Sequence, residues 1–415
     1  MRTIRPFTGY LVDPKQVHEI VAPAYDSLTP QERHQFAARH PRNYLNVIRS
    51  LQEFPQDERP TLAELLASNA AKLEKLIDES AFVYHDRPCL YIYRIAVEGH
   101  VQTGVVAEIS IAEYDAGKLR KHEHTRGDDE ERLIKYLEAV RASSSPVCLA
   151  YRQRDEIDVL IDKLTIREPV VDFRSDDGVT HTIWRIADSR ATDRLIELFA
   201  AVPVTYLTDG HHRSAATSRY AAKCRQENPH HTGDEAYSYL LVAMFPHDQL
   251  RIRPYNRCVR DLNGHALSDF LKELEKGFHV EKLQCNAAQA AQPTARGELS
   301  MLLDGCWYRL TVRPQVVPVG EPAQALDVVI LQEQVLSPLL GIADPRSDPR
   351  LEYIPGSVDM SALEVSCERG WQVAFAAYPT SIEEMMEIAD AGQVMPPKST
   401  WFDPKVRSGI FLCRR

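Results

Sequence analysis

The feature that most constrains the fold of this chain is a short polar segment, residues 208–214 with the sequence TDGHHRS. It follows residues 203–207, which are mostly β-branched or aromatic and predict a strand. It precedes residues 214–225, which are rich in alanine, lack glycine and proline, and predict a helix. A strand that feeds into a helix in this way is typical of domains that combine both kinds of element. We therefore expect an α/β (α+β) fold.

The start of this predicted helix suits an anion. The first turn of a helix leaves backbone N–H groups unpaired and carries the positive end of the helix dipole, so Gly210 would let a phosphate approach while Arg213 binds its oxygens. Asp209 could then hold a metal ion. The alternative is a capped polar turn with solvated charges. The adjacent His211 and His212 favour the anion site, because neighbouring residues at a helix start point in different directions and are not both expected in a core.

Length and composition limit the class of protein. A chain of 415 residues predicts two or three domains, and 44% hydrophobic with 26% charged residues is the balance of a soluble globular protein. No apolar run is long enough to cross a bilayer, and the first residues lack the apolar core of a signal peptide, so we expect a cytoplasmic protein without membrane partners. The net charge of −10 argues against nucleic acid as a partner.

The eight cysteines show no disulfide or metal-binding pattern. They lie at positions 89, 148, 224, 258, 285, 306, 367 and 413 without any CxxC pair, which excludes a zinc ribbon and a redox dithiol. We expect reduced thiols, most of them buried as small apolar side chains.

Local patterns predict several further elements. Two capping boxes mark helix starts: Thr61 with Glu64, and Ser381 with Glu384. Three turns separate β-rich runs and predict hairpins: Glu98-Gly99, Asp177-Gly178 and Asp304-Gly305. Residues 237–245 predict a buried strand, and residues 326–339 predict a helix.

A domain boundary is expected near residues 262–264, where a new helix pattern begins. We assign residues 1–262 to a larger domain and residues 263–415 to a smaller α+β domain. Towards its end the chain runs through residues 395–405, sequence MPPKSTWFDPK, without a periodic pattern. The methionine and aromatic residues there favour docking on a surface, whereas Lys398 and its neighbours could contact an anion.

A second polar segment, residues 118–126, concentrates cations around a single glutamate, Glu123, and leads into a helix pattern with an apolar face. The acidic run at residues 128–131 occupies the first turn of that helix, where the dipole favours negative charge. We therefore interpret this run as helix capping rather than as a metal site. For Glu123, a surface salt bridge with Lys121 or Arg126 is the alternative to a functional role.

Over nearly its whole length the chain resembles a bacterial family known only as a domain of unknown function, DUF1015. Five motifs carry the resemblance: Pro23 with Tyr25-Asp26, His122-Glu123-His124-Thr125, residues 209–213 (DGHHR), Pro254-Tyr255-Asn256-Arg257, and residues 395–404.

The core is also similar to the ParB and sulfiredoxin superfamily, and within it to free-serine kinases of the SerK type. There, a His-Glu pair precedes a helix, a proline-led strand follows, and a DGHHR loop comes last; here these are His122-Glu123, residues 145–147 and residues 209–213. The resemblance implies a ParB/sulfiredoxin-like catalytic core with insertions, so that residues 1–262 would be the nucleotide-binding catalytic domain. The chain departs from the pattern between Pro146 and Asp209, where it is much longer.

The resemblance also implies roles for individual residues. Glu123 would be the general base towards the substrate hydroxyl, and Asp209 would hold magnesium or assist that hydroxyl. His212 would hold phosphate together with His211 and Arg213, and would act in catalysis with Glu123 and Asp209. If the alignment shifts across the long segment, Asp26 and Glu19 are the next candidates for the base. The residues expected to contact substrate or phosphate are His122, His124, Thr125, Gly210, His211, Arg213, Asn256, Arg257 and Lys398.

Together these features predict a small-molecule kinase that uses ATP or ADP with Mg²⁺ and phosphorylates a hydroxylated metabolite, with free L-serine as the first candidate. Phosphoryl transfer depends mainly on positioning and charge neutralisation, which these residue types can supply. The alternative is a ParB-like nucleotide-binding switch or adaptor, which needs no carboxylate facing the terminal phosphate. A zinc hydrolase that uses the histidines of both motifs is disfavoured, because an arginine beside the metal would be badly placed. A homo-oligomeric state is left open.

Overall fold

The computed structural model describes residues 4–284 and 287–415, and their contacts divide the chain into two compact units. The first unit comprises the chain up to Arg120 together with Thr125–Leu250 and Pro404–Arg415. The second comprises Lys121–His124 and Arg251–Asp403. Each unit therefore draws on distant stretches of the sequence.

The first unit is built on a large mixed sheet. Its strands follow one another in the order Leu119–Arg120, Thr205–Asp209, Val147–Tyr151, Tyr239–Pro246, His100–Ser110, Phe82–Val97, Phe7–Val12, Phe411–Arg414 and Ala142–Ser143. Thr180–Ile186 pairs in addition with Phe82–Val97, and Val171–Arg174 pairs with Thr180–Ile186. Two parallel pairs, Tyr239–Pro246 with Val147–Tyr151 and Leu119–Arg120 with Thr205–Asp209, lie in the part of the sheet that leads to residues 209–213.

Helices pack on this sheet and complete its apolar core. The α-helices are Val17–Ile20, Pro30–Arg39, Leu62–Asp78, Ile111–Asp115, Gly127–Val140, Asp155–Leu164, Ser189–Ala200 and His211–Glu227. Short 3-10 turns lie at Tyr25–Ser27, Tyr44–Val47, Leu51–Glu53, Ala236–Ser238 and His247–Gln249. Leu149 and Val242 of the sheet share one core with Leu195 and Phe199, all four fully buried. Each such side chain contributes about 1.5–3 kcal/mol of hydrophobic stabilisation.

The second unit contains a separate antiparallel sheet. Its strands follow in the order Phe278–Lys282, Cys306–Val312, Glu298–Leu303, Val373–Ala377, Tyr255–Val259 and Leu351–Pro355. A small ribbon pairs Ile252–Arg253 with Trp401–Phe402. The helices are Leu267–Leu274, Asp327–Leu331, Ser361–Glu368 and Ile382–Asp390, with a π-helical turn at Gln332–Leu336 and 3-10 turns at Ala288–Ala291 and Pro314–Val316.

The expected mixed α/β class is confirmed, with a large mixed sheet in one unit and an antiparallel region in the other. Both capping boxes are present, with Thr61 accepting from Glu64 N and Ser381 from Glu384 N. The three predicted hairpins form as well. Their strand pairs are Phe82–Val97 with His100–Ser110, Val171–Arg174 with Thr180–Ile186, and Glu298–Leu303 with Cys306–Val312.

Some predicted boundaries differ from those observed. The helix expected from residue 214 begins at His211, because Gly210 caps it in a left-handed conformation. The helix expected over residues 326–339 is α-helical only at Asp327–Leu331 and then continues as a π-helical turn. The tail expected to lack regular structure includes the strand Trp401–Phe402, so backbone pairing with Ile252–Arg253 accounts for the position of Trp401.

The two units also divide the chain differently from the expected boundary at residue 262. Tyr255–Val259 pairs with Leu351–Pro355 and Val373–Ala377, which places residues 251–262 in the second unit. Phe411–Arg414 pairs with Phe7–Val12, which returns residues 404–415 to the first unit. Strand pairing between distant segments, rather than a linker, therefore sets the division.

Two further expectations concern membrane segments and cysteines. Of the helices in the described residues, none combines the length and the apolar character needed to span a bilayer. The described cysteines are free thiols, and Cys89, Cys148, Cys258 and Cys413 are buried, as expected. Cys285 lies outside the described residues.

Candidate functional site

Gly210 and the start of the helix His211–Glu227 form the centre of the candidate site in the first unit. Gly210 has a φ of 102°, a left-handed conformation that strains any residue with a Cβ. A Cβ built there would also lie 3.0 Å from the guanidinium of Arg213. Glycine is therefore required here, and it lets the strand Thr205–Asp209 lead directly into the N-terminal, electropositive end of the helix.

Asp209 lies at the centre of a group of four charged residues, which we call the Asp209 cluster: Asp26, Asp209, Arg213 and Lys405. The Lys405 Nζ donates to Asp209 Oδ1 at 2.9 Å and to Asp26 Oδ2 at 3.1 Å, and Arg213 donates to Asp209 Oδ2. Burial alone would raise the pKa of Asp209, but the charges of Lys405 and Arg213 outweigh it and hold that pKa well below its usual value. The carboxylate is therefore ionised at neutral pH and holds both cations in place.

Arg213 is also tied to the backbone of a neighbouring turn. Its Nη1 donates to the carbonyl oxygens of Ser145 and Pro146 at 2.7 and 2.9 Å. The side chain expected to bind phosphate thus anchors the helix start to the residues that precede the strand Val147–Tyr151. A guanidinium carries more N–H donors than these bonds use, so Arg213 can serve a ligand and the scaffold together.

The two adjacent histidines have different surroundings. His211 is buried, whereas His212 is half-buried. The charge of His211 contributes to lowering the pKa of Asp209, and that of His212 contributes to lowering the pKa of Glu130. The rings therefore diverge, as expected for neighbouring positions at a helix start. In the described part of the chain, the buried Nδ1 of His212 has no hydrogen-bond partner, so this atom is available to a ligand.

The donor set around Asp209 does not fit the magnesium ion expected there. Both carboxylate oxygens accept hydrogen bonds from cationic side chains, Lys405 and Arg213. Magnesium prefers several oxygen ligands in near-octahedral geometry, and the described residues contain no group of three or more His, Cys, Asp or Glu side chains placed to hold a metal ion. The acidic run at residues 128–131 falls in the first turn of the helix Gly127–Val140, in agreement with its interpretation as capping.

The second predicted motif is divided between the two units. Thr125 belongs to the first unit, where its hydroxyl donates to Glu130 at 2.5 Å. His122, Glu123 and His124 belong to the second unit; His122 is buried, Glu123 is half-buried and His124 is exposed.

Residues 395–400 pack against His122 within the second unit. The His122 carbonyl oxygen accepts from Met395 N at 2.7 Å, and the His122 Nε2 lies 3.5 Å from Thr400 Oγ1. This part of the tail is therefore fixed by backbone and side-chain contacts to the motif that contains Glu123.

Asn256, Arg257 and Lys398 also lie in the second unit. Asn256 and Arg257 sit in the strand Tyr255–Val259, each 3% exposed, and point to opposite faces of the sheet. Arg257 donates to the Tyr255 carbonyl oxygen at 2.5 Å and lies 3.5 Å from the Lys398 carbonyl oxygen. The structure thus brings Arg257 and Lys398 together, and Asn256 faces away from them.

Sequence reasoning missed Lys405 as a site residue and treated Asp26 only as an alternative base. The Lys405 side chain is 14% exposed and joins two carboxylates that lie far away in sequence. Its position at the end of the motif at residues 395–405 was the available signal. Nothing in the local pattern indicates, however, that the chain returns at Pro404 to the first unit.

The chain was compared with protein-family models, curated protein sequences and solved structures. The model of a family described as "Protein of unknown function (DUF1015)" matches residues 4–329. No curated protein sequence matches the chain significantly.

Several solved structures are similar to part of this fold. A free serine kinase in complex with AMP is 16% identical, with 72% of this chain and 86% of that chain covered and a TM-score of 0.34. SbnI from Staphylococcus aureus, with a C-terminal truncation, is 12% identical with coverages of 73% and 85% and a TM-score of 0.39. A conserved hypothetical protein from Pyrococcus furiosus is 12% identical with coverages of 74% and 94% and a TM-score of 0.35. At these TM-scores the likeness assigns no activity to this chain.

Proposed function

The chain belongs to the DUF1015 family, and we propose that this member is a kinase of small hydroxylated metabolites. ATP or ADP would be the phosphoryl donor, and free L-serine is the first acceptor to test. The proposal starts from the order of the His-Glu and DGHHR motifs in the sequence and is supported by the geometry of the Asp209 cluster.

The observation that carries the proposal is the placement of cations at a helix start. Gly210 opens the N-terminal turn of the helix His211–Glu227, and Asp209 holds Arg213 and Lys405 beside it. Fixed donors and cations at such a point stabilise the charge of a transferring phosphoryl group without reorganisation during the reaction. In the proposal, the helix start and the Nδ1 of His212 contact phosphate oxygens, and Lys405 offsets their charge.

The proposed reaction is an in-line displacement at phosphorus. The acceptor hydroxyl oxygen forms a bond to the terminal phosphorus of the donor, and the bridging P–O bond breaks. Its electron pair leaves with the nucleotide, as ADP from ATP or AMP from ADP. The hydroxyl proton passes to a carboxylate, for which Glu123 is our candidate. Asp209 acts as a positioning residue for Lys405 and Arg213, since its oxygens are occupied by them.

The test is a transfer assay with purified protein. The protein is incubated with ATP or ADP and L-serine, with and without MgCl₂, and O-phosphoserine is measured by mass spectrometry. Nucleotide affinity is measured in parallel by calorimetry. We expect Glu123→Gln to abolish transfer and leave nucleotide affinity unchanged, because a base acts on the hydroxyl rather than on the phosphate. The matched control is Glu131→Gln, a half-exposed carboxylate paired with Arg219, which should keep full activity.

A second pair of variants tests the cations. Lys405→Met should weaken nucleotide binding about tenfold to a hundredfold, the effect of losing one charge-assisted hydrogen bond. Lys223→Met, which removes a half-exposed lysine paired with Glu138, should leave that affinity unchanged.

Three outcomes would contradict the proposal at different points. Nucleotide binding without O-phosphoserine rejects serine as the acceptor. Nucleotide hydrolysis that does not depend on any acceptor and survives Glu123→Gln favours a nucleotide switch. No binding of either nucleotide rejects the kinase altogether.

A further inference from the structure

Arg257 is a buried cation without a counter-ion. Arg257 is 3% exposed in the strand Tyr255–Val259, and among the described residues its guanidinium is hydrogen-bonded only to backbone carbonyl groups, those of Tyr255 and Lys398. Within residues 4–284 and 287–415 it forms no ion pair with a carboxylate. Burial lowers the pKa of Arg257 to about 10, which still leaves the group charged at neutral pH. A buried charge without a partner destabilises the folded state, because nothing offsets the free energy that its desolvation costs.

Other arginines buried to a similar degree in this protein are paired. Arg33 lies 3.4 Å from a Glu53 oxygen, Arg407 pairs with Asp177, and Arg415 pairs with Glu108. The side chains of these three arginines are at most 8% exposed. The fold thus supplies a carboxylate at each of these positions, which makes the missing carboxylate at Arg257 a local feature that calls for an explanation.

Aromatic side chains and one lysine surround this arginine, and we call the group the Arg257 cluster: Tyr255, Arg257, Tyr353, Lys398 and Trp401. The Arg257 guanidinium lies 5.4 Å from the Tyr353 ring centre, Lys398 Nζ lies 5.2 Å from the Tyr255 ring centre, and the Tyr255 and Trp401 rings are 5.5 Å apart. Tyr255 and Trp401 are buried, Tyr353 is half-buried and Lys398 is exposed. The cluster therefore extends from the interior of the second unit to solvent.

The backbone next to Arg257 is also in an unfavourable conformation. Lys398 has a φ of 58°, in the left-handed region that is unfavourable for a residue with a Cβ. This conformation accompanies the approach of the Lys398 carbonyl oxygen to the guanidinium. Strain of this kind persists where the surroundings fix it and is concentrated at binding sites.

We propose that Arg257 is a carboxylate-binding residue, and that the Arg257 cluster holds the acid group of a small organic acid. A planar guanidinium matches a carboxylate in shape and offers it parallel N–H donors. Arg257 is buried and Lys398 is exposed to solvent, so the charge that needs a buried partner is a single positive one, which one carboxylate matches. This inference concerns the second unit alone and does not depend on the proposed kinase activity.

The first experiment measures thermal stability without ligand. Arg257→Met removes the charge and keeps much of the side-chain volume, so the melting temperature should stay the same or rise by about 2–4 °C. Arg407→Met removes a paired arginine of similar burial and should lower the melting temperature. A fall for Arg257→Met as large as that for Arg407→Met would mean that Arg257 is structural, and would overturn the proposal.

The second experiment adds ligands to the full-length protein. Sodium acetate, L-lactate, D-glycerate and L-serine are compared with sodium chloride at equal ionic strength, and with sodium phosphate. At least one carboxylate should raise the melting temperature of the unaltered protein, and this shift should be absent in Arg257→Met and retained in Arg369→Met, an exposed arginine of the same unit. A response to phosphate alone, or no response to any of these acids, would overturn the carboxylate assignment.

The two proposals fail separately. If the protein forms no O-phosphoserine but its melting temperature still rises when a carboxylate is added, only the kinase proposal is contradicted. If the protein transfers phosphate to serine but no carboxylate raises its melting temperature, only the proposed role of Arg257 is contradicted.

Discussion

The Asp209 cluster of the first unit and the Arg257 cluster of the second unit hold similar cations in opposite settings. In the first, Arg213 and Lys405 share the carboxylate of Asp209, and Lys405 also contacts Asp26. In the second, the hydrogen bonds that Arg257 donates within the described part of the chain go to carbonyl oxygens only. The first set of cations is fixed by the protein itself, whereas the second lacks the partner that a buried charge ordinarily has.

The contrast distinguishes cations that belong to the scaffold from cations that can bind a ligand. A cation whose charge is balanced within the fold stabilises the protein and is positioned before a ligand arrives. A cation whose charge is not balanced lowers stability and is retained only where something else depends on it. Variants that remove one charge at a time should therefore have opposite effects on stability in the two regions.

The largest expected effect is at Asp209. Asp209→Asn leaves Lys405 and Arg213 without their shared charge partner, and should lower the free energy of unfolding by about 3 kcal/mol, the scale for breaking a mostly buried ion pair. Denaturant titration followed by circular dichroism measures it. The matched control is Asp26→Asn, whose side chain is 53% exposed and which should cost less than about 1 kcal/mol. Equal losses for the two variants would mean that the cluster is not held by Asp209.

The next effect concerns acid stability in the first unit. Burial, and then the charge of Arg407, lower the pKa of His181 to about 3. His181 is therefore neutral when folded, and the unfolded chain binds the additional proton below its ordinary pKa near 6.5. Stability from this residue is complete above that value and is lost as the pH falls towards 3, with a loss of about 2 kcal/mol between pH 7 and pH 5. Asp209 adds nothing in this window, because its contribution is complete above its unfolded value near 3.8 and is lost only as the pH falls below that value towards its lower folded pKa.

The measurement for His181 is the slope of melting temperature against pH between 7 and 5. His181→Gln should flatten this slope, whatever its effect on absolute stability. His230→Gln, at an exposed position, should leave the slope as it is. A slope unchanged by His181→Gln would show that the buried ring is not what makes the first unit sensitive to acid.

Much of the secondary structure could be predicted because its determinants are local. The capping boxes at Thr61 and Ser381 and the glycine turns of the hairpins are short motifs whose hydrogen bonds lie within a few residues. The start of the helix at His211 could not be predicted in the same way, because a polar stretch after a strand looks like a loop until the left-handed Gly210 is known. Local sequence patterns therefore predicted which helices and strands form better than they predicted the residues at which these elements begin and end.

The candidate site was predictable only where its residues are adjacent in sequence. The segment at residues 209–213 was visible as one motif, and in the structure Gly210 adopts a left-handed conformation directly before the helix that starts at His211. Lys405 joins it through strand pairing of the last residues, and the balance of charge around Arg257 depends on three separate strands and the tail. Such long-range pairing follows from tertiary structure, which no local pattern encodes.

A smaller effect, of opposite sign to that at Asp209, is expected at Asp327 in the second unit. Burial raises the pKa of Asp327 to about 6, although Gly297 N donates to its carboxylate at 2.9 Å. The folded state therefore binds this proton more tightly than the unfolded chain, and stability is lost as the pH rises from about 4 through 6. Asp327→Asn removes the buried charge and should raise the free energy of unfolding at pH 7 by about 1–2 kcal/mol. A loss of stability at pH 7 would contradict the view that the second unit tolerates unbalanced charge.

The smallest effect tests whether the comparison concerns buried charge or merely the relative stability of the two units. Thr61 and Ser381 cap helices in different units through the same reciprocal bonds, with Glu64 and Glu384. Thr61→Ala and Ser381→Ala should each cost about 0.5–1 kcal/mol, because a lost cap acts on its own helix. Native-state hydrogen exchange would report each loss in its own helix.

If the two losses agree while Asp209→Asn and Asp327→Asn change stability in opposite directions, the units differ in how they balance charge. If Ser381→Ala is several times more costly, the second unit is simply the weaker one, and the contrast between Asp209 and Arg257 loses its physical basis.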